Sequence, residues 1–155
     1  MQSLERIYLM DNALFRMLEL NGRGYCCSQI MFIMALDMQG KTNPDLVRSM
    51  AGLCHGIGFS GNTCGVLSGG ACLLSYYAGK GSDAEDVQQG FATMLTDLAY
   101  WFKQEIGGKF GGVTCAEIMI HSPDRTVCKD IVIDTYAKVM ELLTVHGFDP
   151  ADNGE

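Results

Sequence analysis

Between Arg48 and Lys80 the chain runs for 31 residues without Asp, Glu, Lys or Arg, and eight of those residues are glycine. A stretch so long without charge must be buried, cross a membrane or lie against a bound group. Its make-up excludes crossing: besides the glycines, His55, Asn62, Thr63 and Ser68 interrupt it, whereas a spanning helix needs about 20 predominantly apolar residues. The segment therefore reads as interior, where glycine lets backbone approach another backbone or a bound centre.

What surrounds it is ordinary for one globular unit. At 155 residues, 48% hydrophobic and 19% charged with three prolines, the chain suits a single domain over residues 1–148 with a polar tail, 149–155, expected to fray. The net charge of −7 argues against a nucleic-acid partner, whose backbone calls for a basic patch, and the scattered Lys and Arg argue against a polybasic membrane contact. The opening Met1 to Arg6, with Asp11 soon after, fits neither a secretory nor a transit peptide, so the expected setting is cytoplasmic, without membrane insertion.

Periodicity points to helices throughout. Leu4, Ile7, Tyr8, Ala13, Leu14, Met17 and Leu18 recur at helical spacing before Asn21-Gly22, and Tyr25 to Met38 is apolar nearly all round, as a central helix should be. Asn43-Pro44 supplies a cap and a first-turn proline for a third helix running toward Gly52. Ser82-Asp83-Ala84-Glu85 has the form of a capping box ahead of Val87, Phe91, Met94, Leu95, Leu98, Trp101, Phe102 and Ile106, with Gly107-Gly108 as the stop. Thr114-Cys115-Ala116-Glu117 is a second box, and Val132, Ile133, Tyr136, Val139, Met140 and Leu143 mark a last helix. The expected class is all-α, a bundle of five or six helices with a glycine-rich loop between helices.

Seven cysteines, at 26, 27, 54, 64, 72, 115 and 128, cannot all pair within one chain. In a reducing compartment they serve metal binding, redox exchange or packing. Cys27, Cys64, Cys115 and Cys128 each fall near an expected helix start, where free N–H groups and the helix dipole favour a thiolate, the form that ligates metal. Four thiols on separate elements could thus converge at one end of the bundle. Cys72 reads as packing: Gly65, Ser68, Gly69 and Cys72 recur at spacings of three and four, a stripe that lets helix backbones come close. Cys26 is grouped with packing as well, because Cys26-Cys27 cannot aim both sulfurs at one point, and Cys54-His55 is a weaker ligand pair.

The segments GYCCSQIMF (24–32), GLCHGIGFSGNTCGVLSGG (52–70) and TCAEIM (114–119), followed by Cys128, resemble in order and spacing the C_GCAxxG_C_C family, whose members are described as redox-active. The resemblance covers roughly Phe15 to Leu143 and implies that Cys27, Cys64, Cys115 and Cys128 are the four family positions. This chain departs from the pattern at Val66, where the family usually has Ala, and at Cys26, where Asn is typical. A similar helical domain in split-Soret cytochromes is associated with an iron centre, so the resemblance implies an iron-sulfur cluster as cofactor, without covalent haem because no C-x-x-C-H motif is present. Four thiolates are the usual ligand set for such clusters, and the uncharged wall around Gly65 and Gly69 would supply N–H groups and a low-dielectric shell. Cys26, Cys54 and His55 are the further candidate ligands.

Other chemistries compete. Structural zinc also takes four cysteines, though as close C-x2-4-C pairs that this chain lacks. Thiol-disulfide exchange without metal needs two sulfurs at bonding distance, and no C-x-x-C motif marks them. None of His55, His121 or His146 follows Glu by three, which removes a ferritin-type di-iron site. Gly56 to Gly61 spells G-x-G-x-x-G without a preceding strand, so no dinucleotide site is implied. A helical interaction module with packed cysteines completes the alternatives, and a redox partner protein and a homodimer are the expected associations.

Overall fold

The computed structural model describes residues 2–154; Met1 and Glu155, the two ends of the expected domain and tail, lie outside the described residues. Five helices have twelve residues or more: α1 (Gln2–Gly22), α2 (Cys27–Met38), α4 (Gly65–Ala78), α5 (Phe91–Phe110) and α7 (Cys128–Val145). Two seven-residue helices, α3 (Pro44–Met50) and α6 (Cys115–His121), stand between them. Among the described residues there is no strand, only an isolated bridge between Thr63 and Thr114. The all-α class is what the apolar periodicity predicts, and among the described residues no helix is long and apolar enough to cross a membrane.

Helix α2 is the centre. Ile30, Met31, Phe32, Met34, Ala35 and Leu36 are all buried, so the all-round apolar sequence is satisfied by neighbours on every side. Helix α4 crosses it at close range because of glycine. A Cβ at Gly69 would lie 2.9 Å from Cβ and 3.0 Å from Cα of Ser28, and one at Gly70 would meet Leu98 at 3.2 Å. The small-residue stripe is thus the contact between α4 and α2, with α5 and α7 closing the core through Leu98, Phe102, Ile106, Val139 and Leu143. Cys72, half-buried, packs against this core.

Three expectations change. The Ser82–Glu85 segment does not open a helix: Glu85 accepts a bond from the Gly81 amide in a local turn, Val87 is half exposed, and α5 begins only at Phe91 after Gly90, whose φ of +87° ends the loop. The same helix runs through Gly107-Gly108 to Phe110, and Gly111 (φ +75°) stops it. The tail is tied down rather than frayed: Tyr77 donates to the carbonyl of Pro150 at 2.8 Å, Gln39 Nε2 to that of Asp152 at 3.0 Å, and Lys41 to that of Asn153. Helix α1 differs in its surroundings. Among its described side chains Met17 and Leu20, near the C-terminal end, are buried, while Leu4, Ile7, Tyr8, Leu9 and Phe15 are exposed.

Replacing Gly69 by Ala forces a methyl against the Ser28 backbone and should destabilise the protein by about 1–3 kcal/mol. Gly108→Ala, where nothing lies within 4 Å of the new methyl, should stabilise it by about 0.5–1 kcal/mol. Denaturant midpoints of the two variants against the parent chain check both signs.

Candidate functional site

The four cysteines of the helix starts do come together. Cys27 opens α2, Cys64 is the N-cap of α4, Cys115 opens α6 and Cys128 opens α7. All four line one cavity of about 540 Å³, with Cys26, His55, Gly65 and Arg125 also in its wall. Local sequence explains each placement. Thr114 caps α6 by accepting from the Glu117 amide at 3.2 Å, while Glu117 accepts from the Thr114 amide at 3.0 Å, a reciprocal box that fixes the orientation of Cys115. Gly65 allows Cys27 to approach: a Cβ there would lie 2.9 Å from Cys27 Sγ and 2.7 Å from the Leu53 carbonyl oxygen. Gly69, one turn on, faces Ser28, so it serves helix packing and does not line the cavity.

The segment between Cys54 and Cys64 is built from backbone that few residues adopt. His55, Gly56, Ile57, Gly58 and Phe59 all have φ between +58° and +69°, five successive residues in the left-handed region. Left-handed helical backbone is disfavoured by roughly 1–2 kcal/mol for each non-glycine residue. Opposing bonds hold it: Asn62 N donates to Gly56 O at 3.0 Å, Cys115 N to Asn62 O at 2.7 Å, Ala116 N to Gly61 O at 3.2 Å and Cys64 N to Val113 O at 3.0 Å. The G-x-G-x-x-G spelling is this left-handed turn and its exit. A Cβ at Gly56 would strike the Asn62 backbone at 2.6 Å and Cys115 Cβ at 2.9 Å. The charge-free stretch is accordingly not buried along its whole length, since Ile57 and Phe59 at the outside of the turn are exposed.

On the rim, the His55 and Phe59 rings stack with centroids 4.1 Å apart, and the Arg125 guanidinium lies 5.9 Å from the Phe59 ring and donates to His55 Nδ1. Burial, helped by Arg125, holds the His55 pKa below its ordinary value. With Nδ1 accepting from Arg125, the proton of the neutral ring sits on Nε2, and neither nitrogen has a lone pair to offer a metal. Cys26 and Cys54 stand at disulfide distance, their Cα atoms 6.1 Å apart across 28 residues of sequence. Nothing in the sequence marks this pair, since no motif links the two positions.

As thiols, Cys27, Cys64 and Cys128 resist ionisation. Burial pushes Cys64 up to about 12, with Cys27 and Cys128 close enough to disfavour a second negative charge and the amides of Val66 and Leu67 only partly offsetting this. Cys128 is pushed up to about 11 by burial and by Cys27 and Cys115, against the pull of Arg125. Cys27 is raised as well, although the amides of Ser28 and His55 favour its thiolate. The expected helix-start effect is present at Cys27 and Cys64, where amides favour the thiolate, but desolvation outweighs it. Among the described residues, no three His, Cys, Asp or Glu side chains close on a point that could hold a single metal ion.

The family model described as "Putative redox-active protein (C_GCAxxG_C_C)" matches residues 25–142, more than half of the chain. The protein belongs to the C_GCAxxG_C_C family. The matched region begins just before Cys26 and includes every cavity cysteine. Comparison with curated proteins finds no match, and comparison with solved structures finds none either.

Raised thiol pKa values set a pH dependence with a definite sign. In the unfolded chain a thiol ionises near its ordinary value of 9.0, before Cys64 at about 12 or Cys128 at about 11 in the fold, so ionisation favours unfolding. Reduced, metal-free protein should keep its full stability below about pH 9 and lose it progressively from there to about pH 12. Denaturant midpoints at pH 8 and pH 10.5 should differ, and less so in Cys128→Ser; equal midpoints in the parent chain would contradict the assignment.

Proposed function

We propose that this member of the redox-active C_GCAxxG_C_C family carries an iron-sulfur centre held by Cys27, Cys64, Cys115 and Cys128 and passes electrons through it to a redox partner protein. The observation that carries the reading is that these four sulfurs, from four separate helix starts, line one cavity. The donor set suits the group: four thiols on one cavity, beside a glycine that leaves room at Cys27. Zinc remains the alternative the same donors would serve.

When bound, such a centre supplies one-electron chemistry. The chain's part is to hold and shield it. Desolvated thiols at the helix starts become thiolates on binding, which releases protons, and the amides that already favour the Cys27 and Cys64 thiolates would stabilise the negative charge there. The apolar wall of Met17, Ile30, Val66, Ile118 and Val132 keeps water from the interior side. Exposed apolar residues on α1 offer a surface for a partner, a second copy included.

Iron, zinc and acid-labile sulfide, measured with a visible spectrum on anaerobically purified protein, test this. The expected result is iron with matching sulfide and charge-transfer absorption, lost in each of Cys27→Ser, Cys64→Ser, Cys115→Ser and Cys128→Ser and retained in Cys72→Ser. Equal retention in all five variants would sink the ligand assignment, and zinc alone would make the site structural.

A further inference from the structure

The Cys26–Cys54 pair is chemically unequal. Cys54 is 4% exposed, whereas Cys26 is partly exposed and lines the cavity, so a reagent entering the cavity reaches one sulfur and not the other. Cys26 is also the N-cap of the twelve-residue helix α2, with extended backbone (φ −94°, ψ 172°) that turns its side chain away from the direction taken by Cys27. On the buried side, Cys54 Sγ lies 2.9 Å from Ser28 Oγ. The Ser28 hydroxyl is itself fully buried and donates to the Met50 carbonyl at 2.8 Å. Its one proton is therefore used, and toward Cys54 it can only accept. A disulfide sulfur has no proton to give, whereas a Cys54 thiol has one. The buried serine is thus matched to the reduced form of the pair.

We infer that Cys26 and Cys54 form a reversible thiol-disulfide couple, exchanging with an external thiol through Cys26, with Ser28 as the positioning residue that favours the reduced state. A thiolate from a small-molecule thiol attacks Cys26 Sγ; the S–S bond breaks, and Cys54 leaves and takes up the proton that the attacking thiol lost. A second equivalent of thiol then attacks the mixed disulfide at the external sulfur, and Cys26 leaves as a thiol. The net change is two protein thiols and one external disulfide from one protein disulfide and two external thiols, a transfer of two electrons and two protons. None of the four thiols proposed as ligands takes part, so the couple stands whether or not they hold a cluster.

The test equilibrates the full chain anaerobically in mixtures of reduced and oxidised dithiothreitol, quenches with an alkylating reagent and reads each cysteine by peptide mass spectrometry. Cys26 and Cys54 should gain the label together with a single two-electron midpoint, while Cys72 is labelled at every mixture. Ser28→Ala should shift the equilibrium about fivefold toward the disulfide, the effect of losing one hydrogen bond from the reduced form. With oxidised glutathione, Cys54→Ser should acquire an adduct on Cys26, whereas Cys26→Ser should acquire none on Cys54; this comparison does not depend on Ser28→Ala folding. Cys64→Ser and Cys128→Ser should keep the parent midpoint even if they lose metal, which separates this inference from the cluster reading. Labelling of both sulfurs at every mixture, separate midpoints, or an equal adduct on Cys54 would overturn the couple, and an unshifted Ser28→Ala would overturn the role of the serine.

Discussion

The close approach of α4 to α2 is the constraint from which the site follows. Gly69 against Ser28 and Gly65 against Cys27 set the separation of the two helices to one that no larger side chain tolerates. Their N-terminal ends then lie side by side, and each end carries a cysteine. Packing energy from the buried faces of α2, α4, α5 and α7 maintains this geometry, so the position of the sulfurs is a property of the core and not of a mobile loop. Helices α6 and α7 complete the ring by presenting Cys115 and Cys128 at their own first residues.

The left-handed turn is the second requirement. It reverses the chain between Cys54 and Cys64 within a few residues and brings the backbone of Gly61 and Asn62 onto the start of α6. Two of its five residues are glycines, which adopt that backbone freely; His55, Ile57 and Phe59 do so against their preference. Such backbone persists only where surrounding contacts over-determine it, and here one bond within the turn, three to the segment from Val113 to Ala116, and the stacked His55, Phe59 and Arg125 do so. The disulfide pair fastens the entrance of the turn to α2.

Much of this was legible in the chain because it rests on local rules. Apolar periodicity marks the helices, the Thr114–Glu117 box and Asn43-Pro44 mark real caps, and the small-residue stripe marks a real helix contact. The four cysteines could be placed at helix starts for the same reason. What escaped has non-local causes. Ser82–Glu85 carries the residues of a capping box, but Gly90 and the turn at Gly81 hold the segment out of the helix. The tail's polar composition suggests fraying, yet its carbonyls find donors more than 70 residues away, on Tyr77, Gln39 and Lys41. The Cys26–Cys54 pair depends on the left-handed turn, which spacing alone does not reveal. The expected thiolate character was offset by burial at Cys27, Cys64 and Cys128, a quantity that only the packed structure supplies.

Cys26 and Cys27 share a peptide bond, yet their sulfurs belong to different surroundings, one joined to Cys54 and the other set against Gly65. The separation arises from a change of backbone at a single junction, extended at Cys26 and helical from Cys27 onward. Neighbouring thiols on a regular helix would diverge by a fixed angle of about 100°; the cap removes that limit and lets each point where its own partner lies. A helix cap, usually regarded as a device for ending hydrogen-bond ladders, here acts as a switchyard that sorts two adjacent sulfurs onto separate tracks.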